Sequence, residues 1–217
     1  MFSALLENIL CLIYKNKCLV CNCSKTDSLL CKNCLKDVNF LSTFPHKIYN
    51  SVPIYSAVIY DKTIKKLIHL LKFQHKKKAS IVLGELLYKY FKKLNLNDDL
   101  IIIYPDSFFI KNLIRGYEHM FLVAQTFSKL SGLKFYKHAI QKIKNTKPQY
   151  MVKNRKNNIK GTFKINKKYI NELKQKSVLL IDDITTSGAT IEEITDILQK
   201  ENIENITVLT VSKALKI

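Results

Sequence analysis

Two short stretches hold the residues whose types and spacing could do chemistry. The first is VLLIDDITTSGAT at positions 178–190. Its apolar run reads as a buried strand that ends in two adjacent carboxylates, Asp182 and Asp183. A hydroxyl-rich turn follows, and a helix starts near Thr190. The backbone N–H groups of such a turn, together with a helix N-terminus, form an anion site. Thr186, Ser187 and Thr190 add hydroxyl donors, and Gly188 permits close backbone approach. The two aspartates sit where the vicinal hydroxyls of a sugar, or a metal, would lie. Phosphate and sugar are thereby expected at the carboxyl end of a strand, where open α/β sheets bind ligands.

The second stretch is a cysteine array. Cys18-x-x-Cys21 and Cys31-x-x-Cys34 are separated by nine residues. Each CxxC turn directs two sulfurs at one point, so two such turns can close a tetrahedral zinc site. The short linker suggests a tight ribbon or knuckle. Cys23 is a spare that could compete as a ligand. Disulfides would need an oxidising compartment. Four thiolates leave no open coordination position, so the expected role is structural.

Charge and composition bound the remaining functions. The 217 residues carry 36 Lys plus Arg against 17 Asp plus Glu, a formal net charge of +19. Such a field favours phosphates, nucleic acids and anionic surfaces. A lysine-rich proteome would produce the same excess, since the lysines spread over most of the chain. Only two of the basic residues are arginine, Arg115 and Arg155. Arginine grips carboxylate or phosphate with a planar fork that lysine lacks, which marks both positions as candidates for anion contact. The longest stretch without a charged residue is the 13 residues Ile48–Tyr60, too short for a membrane span of about 20. The first residues lack a basic n-region and carry Glu7 in their apolar stretch, so the cytoplasm is the expected compartment.

The elements that must position these residues follow from apolar periodicity. Residues 1–17 read as an amphipathic helix, and 18–34 as the compact cysteine module. Strands are expected at 54–60, 100–104, 177–181 and 206–211. Helices are expected at 63–73, 79–94, 118–130 and 191–200. Residues 143–161 are polar, contain Pro148 and read as a long loop. Strands alternating with helices imply an α/β fold with a parallel sheet covered on both faces. A module over 1–45 and a main domain over 46–217 are the expected units.

The segment at 178–190 resembles the PRPP (phosphoribosyl pyrophosphate) signature of type I phosphoribosyltransferases, and a plain capped helix leaves the match over thirteen positions unexplained. The rest of the chain is similar to the ComF family of competence-related, phosphoribosyltransferase-like proteins. The similarity rests on the CxxC pairs, then Tyr60 with Leu71-Lys72-Phe73, then Arg115-Gly116-Tyr117. It continues through Thr146-Lys147-Pro148-Gln149, Arg155, Asn158, Gly161 and Phe163. Two positions depart from the family pattern: Tyr104-Pro105-Asp106-Ser107 replaces a Pro-rich loop, and Glu118 replaces an Asn.

The resemblance implies a type I phosphoribosyltransferase-like sheet with a small four-cysteine zinc module. It implies a site for PRPP with Mg²⁺, in which Thr185, Thr186, Ser187, Gly188, Ala189 and Thr190 hold the 5′-phosphate. Asp182 and Asp183 would hold the ribose hydroxyls, Asp183 also through metal-bound water. Lys72, Tyr104 and Pro105 would lie near the pyrophosphate, Arg115 and Arg155 would contact anions, and Thr146–Gln149 would form a lid. Three functions stay open at this point. One is a phosphoribosyltransferase with an unnamed acceptor. Another is a single-stranded-DNA-binding protein of natural transformation with a helicase-like partner. The last is a hybrid in which PRPP only regulates.

Overall fold

The computed structural model describes residues 17–23, 28–96, 99–144 and 159–215. The helix expected over 1–17 falls outside them except for its last position, as do Arg155 and Thr146–Gln149. Helix α1 (Lys32–Lys36) belongs to the cysteine module. Then come β1 (Lys47–Tyr49), β2 (Val52–Ile59), α2 (Lys62–Phe73), α3 (Ala79–Phe91), β3 (Leu100–Ile103), α4 (Phe109–Arg115) and α5 (His119–Ser131). The chain continues through β4 (Ile140–Lys142), β5 (Phe163–Ile165), α6 (Ile170–Lys174), β6 (Ser177–Thr185), α7 (Ala189–Lys200) and β7 (Ile206–Lys213).

The main sheet has the order β1-β2-β7-β6-β3. The pairs β2–β7, β7–β6 and β6–β3 are parallel, as the alternation of strands and helices requires. The edge strand β1 is an addition that apolar periodicity does not reveal. It pairs antiparallel with β2 through a two-residue turn, Asn50-Ser51, with both residues at positive φ. That is the turn geometry whose twist matches a hairpin. Strands β4 and β5 form a separate two-stranded ribbon.

Period-two alternation divides the sheet between two cores. Ile102, Leu179, Ile181, Leu209 and Val211 face α2, α3 and α5. Ile101, Ile103, Val178, Leu180 and Val208 face α6, α7 and the small ribbon. Cys18, Leu30, Cys34 and Val38 are buried in the first of these cores, so the cysteine module packs on the same hydrophobic mass as α2 and α3. An antiparallel bridge from Phe40 to Val58 continues that attachment.

Glycine sets one helix packing distance. At Gly84 of α3, an added Cβ would lie 2.7 Å from the Thr126 Cβ and 3.2 Å from the Val123 carbonyl oxygen of α5. Alanine is the better helix former by about 1 kcal/mol. The overpacking term of about 1–3 kcal/mol works against that gain. Urea denaturation of Gly84→Ala should therefore show a net loss of stability of about 1 kcal/mol, where an unconstrained helix position would show a gain.

Candidate functional site

Strand β6 runs past the apolar residues Val178–Ile181 and carries both acids within the sheet register, ending at Thr185. The expected strand stopped at Ile181. The ladder continues because β7 still pairs at Asp182↔Thr210, Ile184↔Ser212 and Thr185↔Lys213. Alternation then sends neighbouring carboxylates to opposite faces. Asp183 follows the parity of Leu179 and Ile181, toward α2 and α5. Asp182 follows Val178 and Leu180, toward α7 and the small ribbon.

The two environments differ accordingly. Asp183 Oδ2 is ion-paired with Lys72 Nζ and lies 3.1 Å from His119 Nε2. Burial alone would raise its pKa, but Lys72 and His119 outweigh burial and hold it well below the usual carboxylate range. Among the described residues, Asp182 has no cation within ion-pair distance; Lys72 and Lys142 act on it from farther away. Burial, followed by the charge of Asp183, pushes it up to about 7. Asp182 Oδ1 accepts the Asp183 backbone N–H at 2.8 Å.

His119 carries no signal of its own in the sequence beyond its place just after the Arg-Gly-aromatic motif. It is the first residue of α5 and its side chain is largely buried. Its Nδ1 lies 3.0 Å from an Arg115 NH1 and 3.1 Å from Ser107 Oγ. Arginine can only donate, so Nδ1 accepts and the ring proton sits on Nε2, which donates to Asp183. Burial lowers the His119 pKa to about 4 against the pull of Asp183, so the ring is neutral.

The Arg115-Gly116-Tyr117 motif closes α4 just before α5 begins. Gly116, at φ +71°, turns the chain back toward α2. Arg115 Nε then donates to the Lys72 carbonyl at 2.8 Å, and the Tyr117 hydroxyl donates to the Leu71 carbonyl. The last carbonyls of a helix lack intrahelical partners. The motif supplies those partners and so fixes the turn that carries Lys72. Arg115 lines the cavity described next, with its Nε and one NH group engaged on Lys72 and His119.

A cavity of about 1410 Å³ opens at the carboxyl end of the sheet. Asp182, Asp183, Thr186 and Thr190 line it together with Lys72 and the Pro105–Ser107 segment. Gly188, at φ +81°, caps α7 and starts the helix at Ala189, beside the Lys47–Glu192 ion pair. Two expected contacts are placed differently. The Thr185 hydroxyl turns into the core, 2.9 Å from Thr210 Oγ1, because Thr185 is still a strand residue. Tyr104 is fully buried in the core under the loop rather than on the cavity wall, since it directly follows the buried run of β3. Its neighbour Pro105 reaches the wall.

Next to that loop lies a group the sequence marks only as two departures. Glu118 is 8% exposed and accepts the Ser107 N–H at 2.6 Å. Burial, then the nearby Asp106, pushes Glu118 up to about 7. Asp106 pairs with His138 Nδ1 at 2.8 Å, and burial raises its pKa against that partner.

The four cysteine sulfurs of Cys18, Cys21, Cys31 and Cys34 lie within 4.8 Å of one another. Tetrahedral thiolates at 2.3 Å from zinc would be separated by roughly 3.8 Å. Cys21 and Cys31 are already 3.7 Å apart. The Cys31 N–H points at Cys18 Sγ at 3.4 Å, and the Cys34 N–H at Cys31 Sγ at 3.5 Å. Burial raises the Cys18 pKa, yet backbone N–H groups outweigh it and bring the thiol down to about 6. Burial pushes the Cys34 thiol the other way, well up, yet the four sulfurs lie close enough to hold a metal ion together, and Cys23 stands outside the group.

On this mostly parallel sheet flanked by helices, residues 130–215 match the family model of the phosphoribosyl transferase domain. The chain is also similar to Competence protein F of Haemophilus influenzae. The two are 24% identical over 196 residues, covering 85% of this chain and 84% of that protein. The two matches bear out the ComF resemblance of the sequence motifs and support a ComF-family protein. No helix among the described residues is long and apolar enough to cross a membrane.

The partly buried ion pair makes a quantitative prediction. Lys72→Met leaves Asp183 facing neutral His119 and should cost about 1–3 kcal/mol in urea unfolding. Adding Asp183→Asn removes the orphaned charge and should recover most of that loss. A double mutant no more stable than Lys72→Met would show the pair to be energetically silent.

Proposed function

We propose that the chain binds Mg²⁺-PRPP in this cavity and transfers its phosphoribosyl group to a nitrogen nucleophile, releasing pyrophosphate, in a ComF-family role in natural transformation. The observation that supports this reading is that both acids, Thr186 and Thr190 line one cavity at the carboxyl end of a parallel sheet, while Ser187, Gly188 and Ala189 lie off its wall. The turn and the α7 N-terminus would hold the 5′-phosphate. Asp182 and Asp183 would accept from the ribose hydroxyls. Pro105–Ser107 and Lys72 would face the pyrophosphate, whose charge the accompanying Mg²⁺ would partly neutralise. The reaction passes through a cation-like ribosyl centre, so the protein acts mainly by positioning and electrostatics. The cysteine module would hold a structural Zn²⁺. The setting we infer is cytoplasmic, beside a helicase-like partner of DNA uptake.

Calorimetric titration with PRPP and Mg²⁺ tests the site. Wild type should bind. Asp182→Asn/Asp183→Asn should weaken binding at least tenfold, since each hydrogen bond to a carboxylate contributes about 1.5–3 kcal/mol. Absence of binding by folded wild type would refute the proposal.

A second reading has its own observation. One wall of the cavity carries Lys62, Lys65, Lys66 and His69 of α2, beside the largely exposed Phe73. Single-stranded nucleic acid is held by cationic grooves with aromatic platforms. If these three lysines meet phosphates, log affinity for a single-stranded oligonucleotide should fall with log salt at a slope of roughly −2. Lys65→Ala/Lys66→Ala should flatten that slope while leaving PRPP binding in place. A salt-independent affinity would exclude this reading.

A further inference from the structure

The two departures from the family pattern meet in space. Asp106, in the loop after β3, and Glu118, just before α5, approach His138, just before β4. One donor atom from each lies within 4.8 Å of the others. Their partners are incomplete. One Glu118 oxygen accepts the Ser107 N–H, but Oε2 is solvent-occluded and has no partner among the described residues. The same holds for Asp106 Oδ1. Directly beneath, the Tyr104 hydroxyl is fully buried, also lacks a partner, and lies within electrostatic reach of both carboxylates.

Such an arrangement is costly as it stands. Two occluded carboxylates repel each other, and each unpaired oxygen carries its desolvation penalty. A single dication removes both costs at once. The donor set of two carboxylates and one imidazole suits a borderline divalent ion rather than Ca²⁺ or Mg²⁺, which favour all-oxygen shells. Donors about 2.1 Å from a tetrahedral metal stand roughly 3.4 Å apart. Asp106 and His138 are already closer than this, at 2.8 Å. His138 is half exposed, so it supplies both the needed adjustment and the entry path.

We propose that Asp106, Glu118 and His138 form a second metal site, separate from the cysteine module, for a divalent transition-metal ion, with the Tyr104 hydroxyl donating to a ligating carboxylate. Three protein ligands leave one position open, unlike the closed cysteine set. The ion would tie the loop after β3 to the starts of α5 and β4. Through the Glu118–Ser107 hydrogen bond it would also hold the Pro105–Ser107 segment that lines the cavity. The proposal does not depend on PRPP binding.

The test uses the full chain with its cysteine module loaded with Zn²⁺ and no PRPP present. Co²⁺ is the probe, because it binds more weakly than Zn²⁺ and will not displace it from thiolates. One equivalent of Co²⁺ should bind, giving d–d absorption without thiolate charge-transfer bands. Glu118→Gln should weaken that binding at least about tenfold. His138→Gly should do the same, and it is the safer variant for folding because His138 sits at φ +61° on the surface, where glycine is unstrained. Retained Zn²⁺ content and circular dichroism confirm that each variant is folded. The proposal is overturned if Co²⁺ does not bind, binds only with thiolate bands, or binds folded His138→Gly as tightly as wild type.

Discussion

Asp183 is a negative charge held at the carboxyl end of an interior strand of a hydrophobic sheet, and much of the surrounding architecture neutralises it. A carboxylate removed from water without a partner costs several kcal/mol. Here Lys72 supplies the counter-charge and neutral His119 supplies a hydrogen bond. Lys72 is held in turn because Arg115 and Tyr117 take the last carbonyls of α2. His119 is oriented because Arg115 and Ser107 meet its other nitrogen. The constraint thus runs from one aspartate through two helices and the loop between them.

The neighbouring aspartate follows a different physical logic. Alternation along β6 places Asp182 on the other face, where, among the described residues, Lys72 and Lys142 act only from beyond ion-pair distance. One strand therefore presents a firmly ionised acid and an acid poised near neutrality at adjacent positions. Environments that push two titratable groups apart are a recurrent way to assign them different tasks. The geometry supplies that difference without any difference in residue type.

Several sequence motifs that look independent form one structure. The Leu71-Lys72 segment and the Arg115-Gly116-Tyr117 motif are joined by two hydrogen bonds. The cysteine pairs, at the start of the chain, share a core with α2 and α3. Their shared purpose is mechanical: each fixes an element that borders the cavity. Gly84 performs the same service for α3 and α5, by allowing their backbones to approach.

What the sequence by itself determined is what local chemistry can carry. The apolar runs of β3, β6 and β7 specify buried strands. The turn at 186–190 specifies a helix start, and the CxxC spacing specifies a four-cysteine cluster. These depend on contacts between residues close in the chain. Tertiary structure alone decided the rest. It turned the Thr185 hydroxyl into the core, buried Tyr104 beneath its loop and made Arg115 a brace for Lys72. It also brought His119 to Asp183, 64 positions away, and His138 to Asp106, 32 positions away. The physical reason is that a side chain's protonation and partners depend on what crosses from other elements. No window of neighbouring residues encodes the register and packing that bring those groups together.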